Sequence, residues 1–263
     1  MSSFSHFREQ IKRVPVIGSF LYRIYLLLFF REGEVVTIKD GYLKGMTVRR
    51  FHRTVFPRFI AGDYELELQN AIIHELKEGH VFYDVGANGG FFCLVAAKRM
   101  GPSGKIVAIE PHPKSTDEIR KQLAHCGYLN HSVVTAAVSD REGRDELADD
   151  TVSHMASLTS LEPDARPKFT IEVPTVTLDQ MVKEHGAPDV LKLDMEGAEI
   201  MALRGADLLL RQHAPVLLVE LHNEDLCRQY YDLMDDLDYR TYQLSGEPIL
   251  NREFCRHVLS RKN

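Results

Sequence analysis

The chain has little that would commit it to a metal, an oxidising compartment or a nucleic acid. Of its 263 residues only four are cysteines, Cys93, Cys126, Cys227 and Cys255, and none stands in a C-x-x-C or other metal-ligand spacing. Neither a zinc site nor a disulfide framework is expected, and the thiols read as reduced, which by default means the cytosol. A basic excess is also missing: the formal net charge is −6 and the pI about 6.1, so the electrostatic attraction that nucleic-acid binding rests on is absent. There is no internal repeat and no low-complexity tract. A membrane span is lacking as well. The nearest candidate, Val14 to Phe30, is flanked by Arg8, Lys12, Arg13 and Arg31, is shorter than the roughly 20 residues a span needs, and carries Arg23 where the bilayer centre would lie. No small-residue cleavage site follows it, so it does not read as a removable signal peptide. It reads instead as a basic-flanked interfacial helix, making residues 14–30 a candidate for peripheral membrane contact, or as a helix covering an apolar patch of the domain.

What is present is enough apolar sequence, 44%, to bury one large core. One catalytic domain over residues 61–263 is expected, preceded by an extension, 1–60, that holds the apolar helix and a small hairpin around Asp40-Gly41 and Lys44-Gly45. A helix is predicted over Gly62–Glu78. Val81–Val85, apolar and β-branched at its ends, then reads as a buried parallel strand running into a glycine-rich bend, Gly86 to Gly90, and an apolar helix from Phe91 to Met100. The bend lacks the dinucleotide fingerprint. Counted from Gly86, the second and third glycines of G-x-G-x-x-G are Asn88 and Phe91, so a pyrophosphate is poorly served. The pattern Asp84-x-Gly86-x-Asn88-x-Gly90 places an acid before the bend, which suits a ligand bearing an ammonium and a sulfonium better than a phosphate. S-adenosylmethionine is the cofactor this favours.

The next strand, Lys105 to Pro111, ends on Glu110, roughly 20 residues beyond the bend, where doubly wound folds place an acid for ribose hydroxyls. A helix start at Pro111, Pro113 and Asp117 offers the plainer account of that charge. Downstream the alternation continues: helix over Ser115–Cys126, strand over Val133–Ser139, helix over Leu178–His185, strand over Val190–Glu196, helix over Ile200–Arg211, strand over Pro215–His222, and a helix through Asp236. Residues 140–176 interrupt it with polar, proline-marked sequence that reads as an excursion over the cofactor edge, with His154, Ser157 and Thr159 within it.

Asp84-Val85-Gly86-Ala87-Asn88-Gly89-Gly90, Ile109-Glu110-Pro111, Thr177-Leu178-Asp179, the block Leu191-Lys-Leu-Asp-Met-Glu-Gly-Ala-Glu199 and Leu203-Arg-Gly-Ala206 together resemble the FkbM-type family of S-adenosylmethionine-dependent methyltransferases, over roughly residues 60 to 260. The resemblance implies an α/β, Rossmann-like class I methyltransferase fold: a mostly parallel seven-strand sheet closed by a C-terminal antiparallel hairpin, here Tyr239–Leu244 with Cys255–Ser260. It also implies O-methylation of sugars or natural-product hydroxyls. Glu65 matches an acid that the family places near the methionine end of the cofactor, although a first-turn helix charge explains it as well. Glu65, Asp84, Gly86, Asn88, Gly90, Glu110 and Ser139 are thus the cofactor-binding candidates.

The catalytic candidates come from two strand ends. The two-residue period of Val190–Glu196 puts Asp194 and Glu196 on one face with Glu199 just beyond, and Leu217–His222 does the same for Glu220 and His222. Methyl transfer needs alignment and removal of the acceptor's proton, and His222 has the better intrinsic pKa for a base, with Asp194 orienting it or binding the acceptor; Glu196 supports the turn or contacts substrate. No spacing here is diagnostic of a metal, so metal-independent transfer is expected. A small-molecule or glycan acceptor follows. The alternatives are an N-methyltransferase of a small molecule or protein, lowered by the absence of an Asp/Asn-Pro-Pro-Tyr-like block, and a non-catalytic S-adenosylmethionine-binding protein. Nothing in the pattern encodes a particular acceptor or an oligomeric state.

Overall fold

A computed structural model describes residues 33–50, 56–148, 170–249 and 252–262; the apolar stretch 14–30 and His154, Ser157 and Thr159 lie outside them. β1 (Val35–Thr37) and β2 (Thr47–Arg49) form the expected antiparallel pair. Ile38, Leu43 and Val48, all nearly inaccessible, join the core of the following domain. Where one helix over Gly62–Glu78 is expected, two form, α1 (Phe56–Ala61) and α2 (Leu66–Glu75). The break has a steric cause. Gly62 (φ +81) lies so close to the hairpin that a Cβ would stand 1.8 Å from the Asp40 carbonyl oxygen, and Glu65 (φ 43) is left-handed too.

β3 (Val81–Val85), α3 (Phe91–Met100), β4 (Lys105–Ile109) and α4 (Pro113–His125) follow in the expected order. The strand expected over Val133–Ser139 is divided: β5 (His131–Val134) is the outermost strand of the main sheet, whereas β6 (Ala137–Val138) leaves it. β6, β7 (Gly143–Ala148) and β8 (Thr170–Val176) make a separate sheet in the order β6-β8-β7, so the supposed excursion carries two strands. In β8 a period of two buries Val173 and Thr175 on either side of exposed Pro174, an alternation that the proline and flanking charges obscure in the sequence.

α5 (Leu178–His185), β9 (Val190–Leu193), α6 (Glu199–Arg204), a π-helical turn (Leu209–His213), β10 (Val216–Glu220), α7 (Glu224–Asp236), β11 (Arg240–Gln243) and β12 (His257–Arg261) complete the chain. The helix expected over Ile200–Arg211 stops at Gly205, where a Cβ would stand 2.4 Å from the Ser139 carbonyl oxygen. The main sheet has seven strands in the order β11-β12-β10-β9-β3-β4-β5. β10, β9, β3, β4 and β5 run parallel; β12 runs antiparallel to both its neighbours, the expected closing hairpin.

Three layers result. α2, α3 and α4 pack on one face through Ile72, Leu94, Ile119 and Leu123, while α5, α6 and α7 pack on the other through Met181, Leu203, Tyr230 and Met234. Burial on both faces is why the inner strands read as unbroken apolar runs. The chain builds outward from β3 in one direction through β4 and β5, and in the other through β9 and β10. The carboxyl ends of β3 and β9 therefore flank the crevice at which open α/β sheets bind ligands. Among the described residues, no helix is long and apolar enough to cross a membrane.

Candidate active site

At the end of β3 the chain turns through Gly86 (φ +71), Asn88 (φ 47) and Gly90 (φ +77) into α3. The two glycines are expected to bare the backbone for a ligand, but their missing Cβ atoms face protein. On Gly86 a Cβ would lie 1.7 Å from the Asp194 carbonyl oxygen, and on Gly90 it would lie 3.2 Å from Ile119 Cγ1. Asp84 differs from expectation in the same sense. It is fully buried, and instead of facing a ligand ammonium it accepts from Lys192 Nζ at 3.0 Å and from the Cys93 thiol at 3.2 Å.

Lys192, to which no role falls on the sequence alone, organises the crevice floor. Only 2% exposed, its ammonium reaches Asp84, the Gly86 carbonyl oxygen at 3.3 Å and Asp194 Oδ2 at 3.7 Å, and it lies 5.4 Å from the centre of the Phe92 ring. Burial pulls its pKa down, but Asp84 and Asp194 outweigh that and hold it above the ordinary lysine range. The available signal was a lone charge inside an apolar strand, Val190-Leu-Lys-Leu.

Glu110 lies beneath the bend. One carboxylate oxygen accepts from the Asn88 amide at 2.9 Å and the other from the His112 amide at 3.0 Å. Each oxygen keeps a further lone pair, so the group can receive two more donors. Burial raises its pKa to about 6 against the pull of those two amides. Ser139, just past β6, donates its backbone amide to Val176, and its hydroxyl lies 3.3 Å from Asp140 Oδ1 and 3.2 Å from the Met201 sulfur.

The second cluster surrounds His222. β9 ends at Leu193, so Asp194 and Glu196 do not share a strand face as expected. They reach the imidazole by a turn with Glu196 left-handed (φ 52), pinned by Glu199, whose Oε1 accepts from the amides of Met195 at 2.9 Å and Gly197 at 3.2 Å. The ring then has Glu199 at 3.1 Å from Nδ1, and Glu196 at 3.4 Å, Glu220 at 3.6 Å and Asp194 at 3.9 Å from Nε2. All five groups predicted to converge here do so. Their ionisation differs from expectation. The close approach of Glu199, with Glu220 and Glu196 behind it, overcomes the cost of burial and raises the His222 pKa to about 9, which favours the imidazolium near neutral pH and makes the ring a poor proton acceptor in this arrangement. Asp194 is raised to about 6, chiefly by burial, with Lys192 opposing.

Glu220 links this cluster to a third. Its Oε1 receives Arg256 at 2.5 Å and its Oε2 lies 3.2 Å from His257 Nε2, and these cations outweigh burial to lower its pKa to about 2. Glu65 joins on the same side. Its side chain does not cap α2; its carboxylate lies within 4.8 Å of ligand atoms of Glu220 and His257. Arg256 and His257 were missed because the closing hairpin brings them in from far along the chain.

Comparison with known proteins agrees with this geometry. The methyltransferase FkbM domain matches residues 84–242. A hexuronic acid methyltransferase, AglP, of Haloferax volcanii is 24% identical over 197 residues, covering 73% of this chain and 75% of that protein. A protein-L-isoaspartate O-methyltransferase of Methanococcus maripaludis is 37% identical over 60 residues, 23% of this chain; the chain spans only 28% of that relative's length. The crystal structure of methyltransferase FkbM from Methylobacillus flagellatus KT superposes with a TM-score of 0.52 at 15% identity, over 71% of this chain and 44% of that one, which shows the shared fold.

Proposed function

Because the chain belongs to the FkbM methyltransferase family, we propose that it transfers a methyl group from S-adenosylmethionine to a hydroxyl of a glycan, lipid-linked sugar or secondary metabolite. Glu110 is the observation that carries the cofactor half of this reading. A buried carboxylate with one acceptor site left on each oxygen, set under a strand-to-helix bend, suits the vicinal diol of a free adenosine ribose. The crevice also fits the ligand's charge, since Asp194, Glu196, Glu199, Glu220 and Glu65 outnumber the cations among them, and a sulfonium with an ammonium is favoured there. Bound S-adenosylmethionine supplies an already activated methyl group, so the protein's own tasks are alignment and proton removal.

In this reading, Asp194 and Glu196 are the carboxylates beside the acceptor, and one of them takes its proton. His222 is a positioning residue: a cation that holds those two carboxylates toward the crevice. The sugar class of acceptor is supported by the hexuronic acid methyltransferase, which matches over most of both chains. Asn88 contributes its amide to Glu110, and Glu65 faces the crevice from the start of α2.

Calorimetric titration of wild type and Glu110→Ala with S-adenosylmethionine and with NAD tests the cofactor half. S-adenosylmethionine should bind wild type alone of the two ligands, and the substitution should weaken it at least about tenfold, the loss of two charge-assisted hydrogen bonds. Binding of NAD in its place would overturn the reading. A pH series adds a second check. Since burial raises the Glu110 pKa to about 6, affinity for S-adenosylhomocysteine should be flat above neutrality and at least about tenfold lower near roughly pH 5, and Glu110→Gln should bind weakly with only the smaller fall that Asp194, also raised to about 6, contributes.

A further inference from the structure

We propose that Asp194, Glu220 and His222 form a binding site for one divalent cation of the Mn²⁺ and Mg²⁺ class. One ligand atom from each lies within 4.8 Å of the others, close enough to meet on a single ion. The donor set, two carboxylates and an imidazole nitrogen, combines the oxygen ligands that Mg²⁺ and Mn²⁺ take with a nitrogen that suits Mn²⁺. Along the chain these residues have no metal spacing, which is why the sequence favoured metal independence. Two neighbouring parallel strands, β9 and β10, bring them together at one edge.

A second observation points to a ligand. Neither buried ring nitrogen of His222 has a partner in hydrogen-bond geometry, although Glu199 Oε1 stands 3.1 Å from Nδ1 as an ion pair. Oε2 of Glu199, a residue with no exposure at all, is likewise buried without a hydrogen-bond partner. Oε2 of Glu65, on the far side of Glu220, is in the same condition. Buried polar atoms are almost always satisfied, and a concentration of exceptions around one imidazole calls for a partner. Charge argues the same way. Asp194, Glu196, Glu199 and Glu220 all lie within 4 Å of that ring, more negative charge than one imidazolium offsets, and a divalent cation on Nε2 would take the place of the ring's proton and neutralise more of it.

Arg256 does not block the site. It holds Glu220 Oε1, but its own side chain is 63% exposed and can swing into solvent when a cation takes that oxygen. Glu65, Glu220 and His257 make a similar trio. The Asp194 trio is assigned because it holds the unpartnered imidazole. With Asp194 on the cation, Glu196, 38% exposed beside Nε2, is the carboxylate left to take the acceptor's proton. That role rests on the methyltransferase reading above; cation binding does not.

The experiment titrates Mn²⁺ into chelator-stripped full-length protein without methyl donor and follows the free ion by electron paramagnetic resonance. One saturable Mn²⁺ per chain, displaced by Mg²⁺, is expected. Asp194→Asn and Glu220→Gln should each weaken it at least about tenfold. A cooperative melt and an unchanged far-ultraviolet circular dichroism spectrum show that each variant is folded; should Glu220→Gln fail to fold, Asp194→Asn decides. No saturable Mn²⁺ binding, or affinity unchanged in the folded variants, overturns the proposal. Loss of binding in His257→Gln but not in Asp194→Asn also overturns it, by moving the ion to the other trio. Loss of S-adenosylhomocysteine binding with Mn²⁺ binding intact would strike the functional reading and leave the cation site standing.

Discussion

Replacing Lys192 with methionine is expected to destabilise the protein by about 3–5 kcal/mol, the usual result of removing one partner from a buried ion pair. Asp84 has no exposure and Lys192 has 2%, so water cannot replace the lost ammonium. Among the described residues, the only other donor on Asp84 is the Cys93 thiol, a weak one. For a domain of this size the loss corresponds to a fall in melting temperature of roughly 10 °C. The double variant Lys192→Met with Asp84→Asn should recover most of it, because neither charge then remains buried alone. Melting of the single variant within about 2 °C of wild type would show that Lys192 is not holding the floor of the crevice.

Gly86→Ala is expected to damage stability and ligand binding together. The new methyl would stand 1.7 Å from the Asp194 carbonyl oxygen, an atom that cannot rotate aside, and φ +71 is strained for any residue with a Cβ. Left-handed backbone alone costs about 1–2 kcal/mol. Relieving the overlap means parting the ends of β3 and β9, which moves Asn88 away from Glu110 on one side and shifts Asp194 on the other. A loss of several kcal/mol in total, among the larger effects of point substitutions, is the expected result, with S-adenosylhomocysteine affinity falling at least about tenfold in whatever folds. Gly127→Ala, at a similar left-handed φ of +77 but with no atom within 4 Å of the new methyl, serves as control in denaturation and calorimetry. Equal behaviour of the two variants would refute this packing argument.

The order of the sheet was legible because each inner strand is buried on both faces and so stands out as an apolar run between punctuating glycines and prolines. α3, buried nearly all round, was legible for the same reason, whereas α5 and α7 bury one face each. What failed were the places where a distant carbonyl sets the local geometry. Gly62 meets Asp40, Gly205 meets Ser139 and Gly86 meets Asp194, and nothing within a local window records any of these meetings. At the site, strand ends correctly announced that acids and a histidine would gather, since the sheet edge is common to all of them. Their protonation was not legible. It depends on how many carboxylates surround His222, and that number is settled by a turn after β9 and by the loop before β12.

Glu199 gives that turn a further property. One oxygen of a side chain with no exposure is shared by the amides of Met195 and Gly197 and stands against His222, just beyond the end of β10. The loop bearing Asp194 and Glu196 is thereby fixed to the imidazole before any acceptor arrives. The reorganisation that dipoles in water would undergo during methyl transfer is completed when the protein folds. Disturbances at Glu199, whose side chain has no exposure, should accordingly appear in kcat more than in KM.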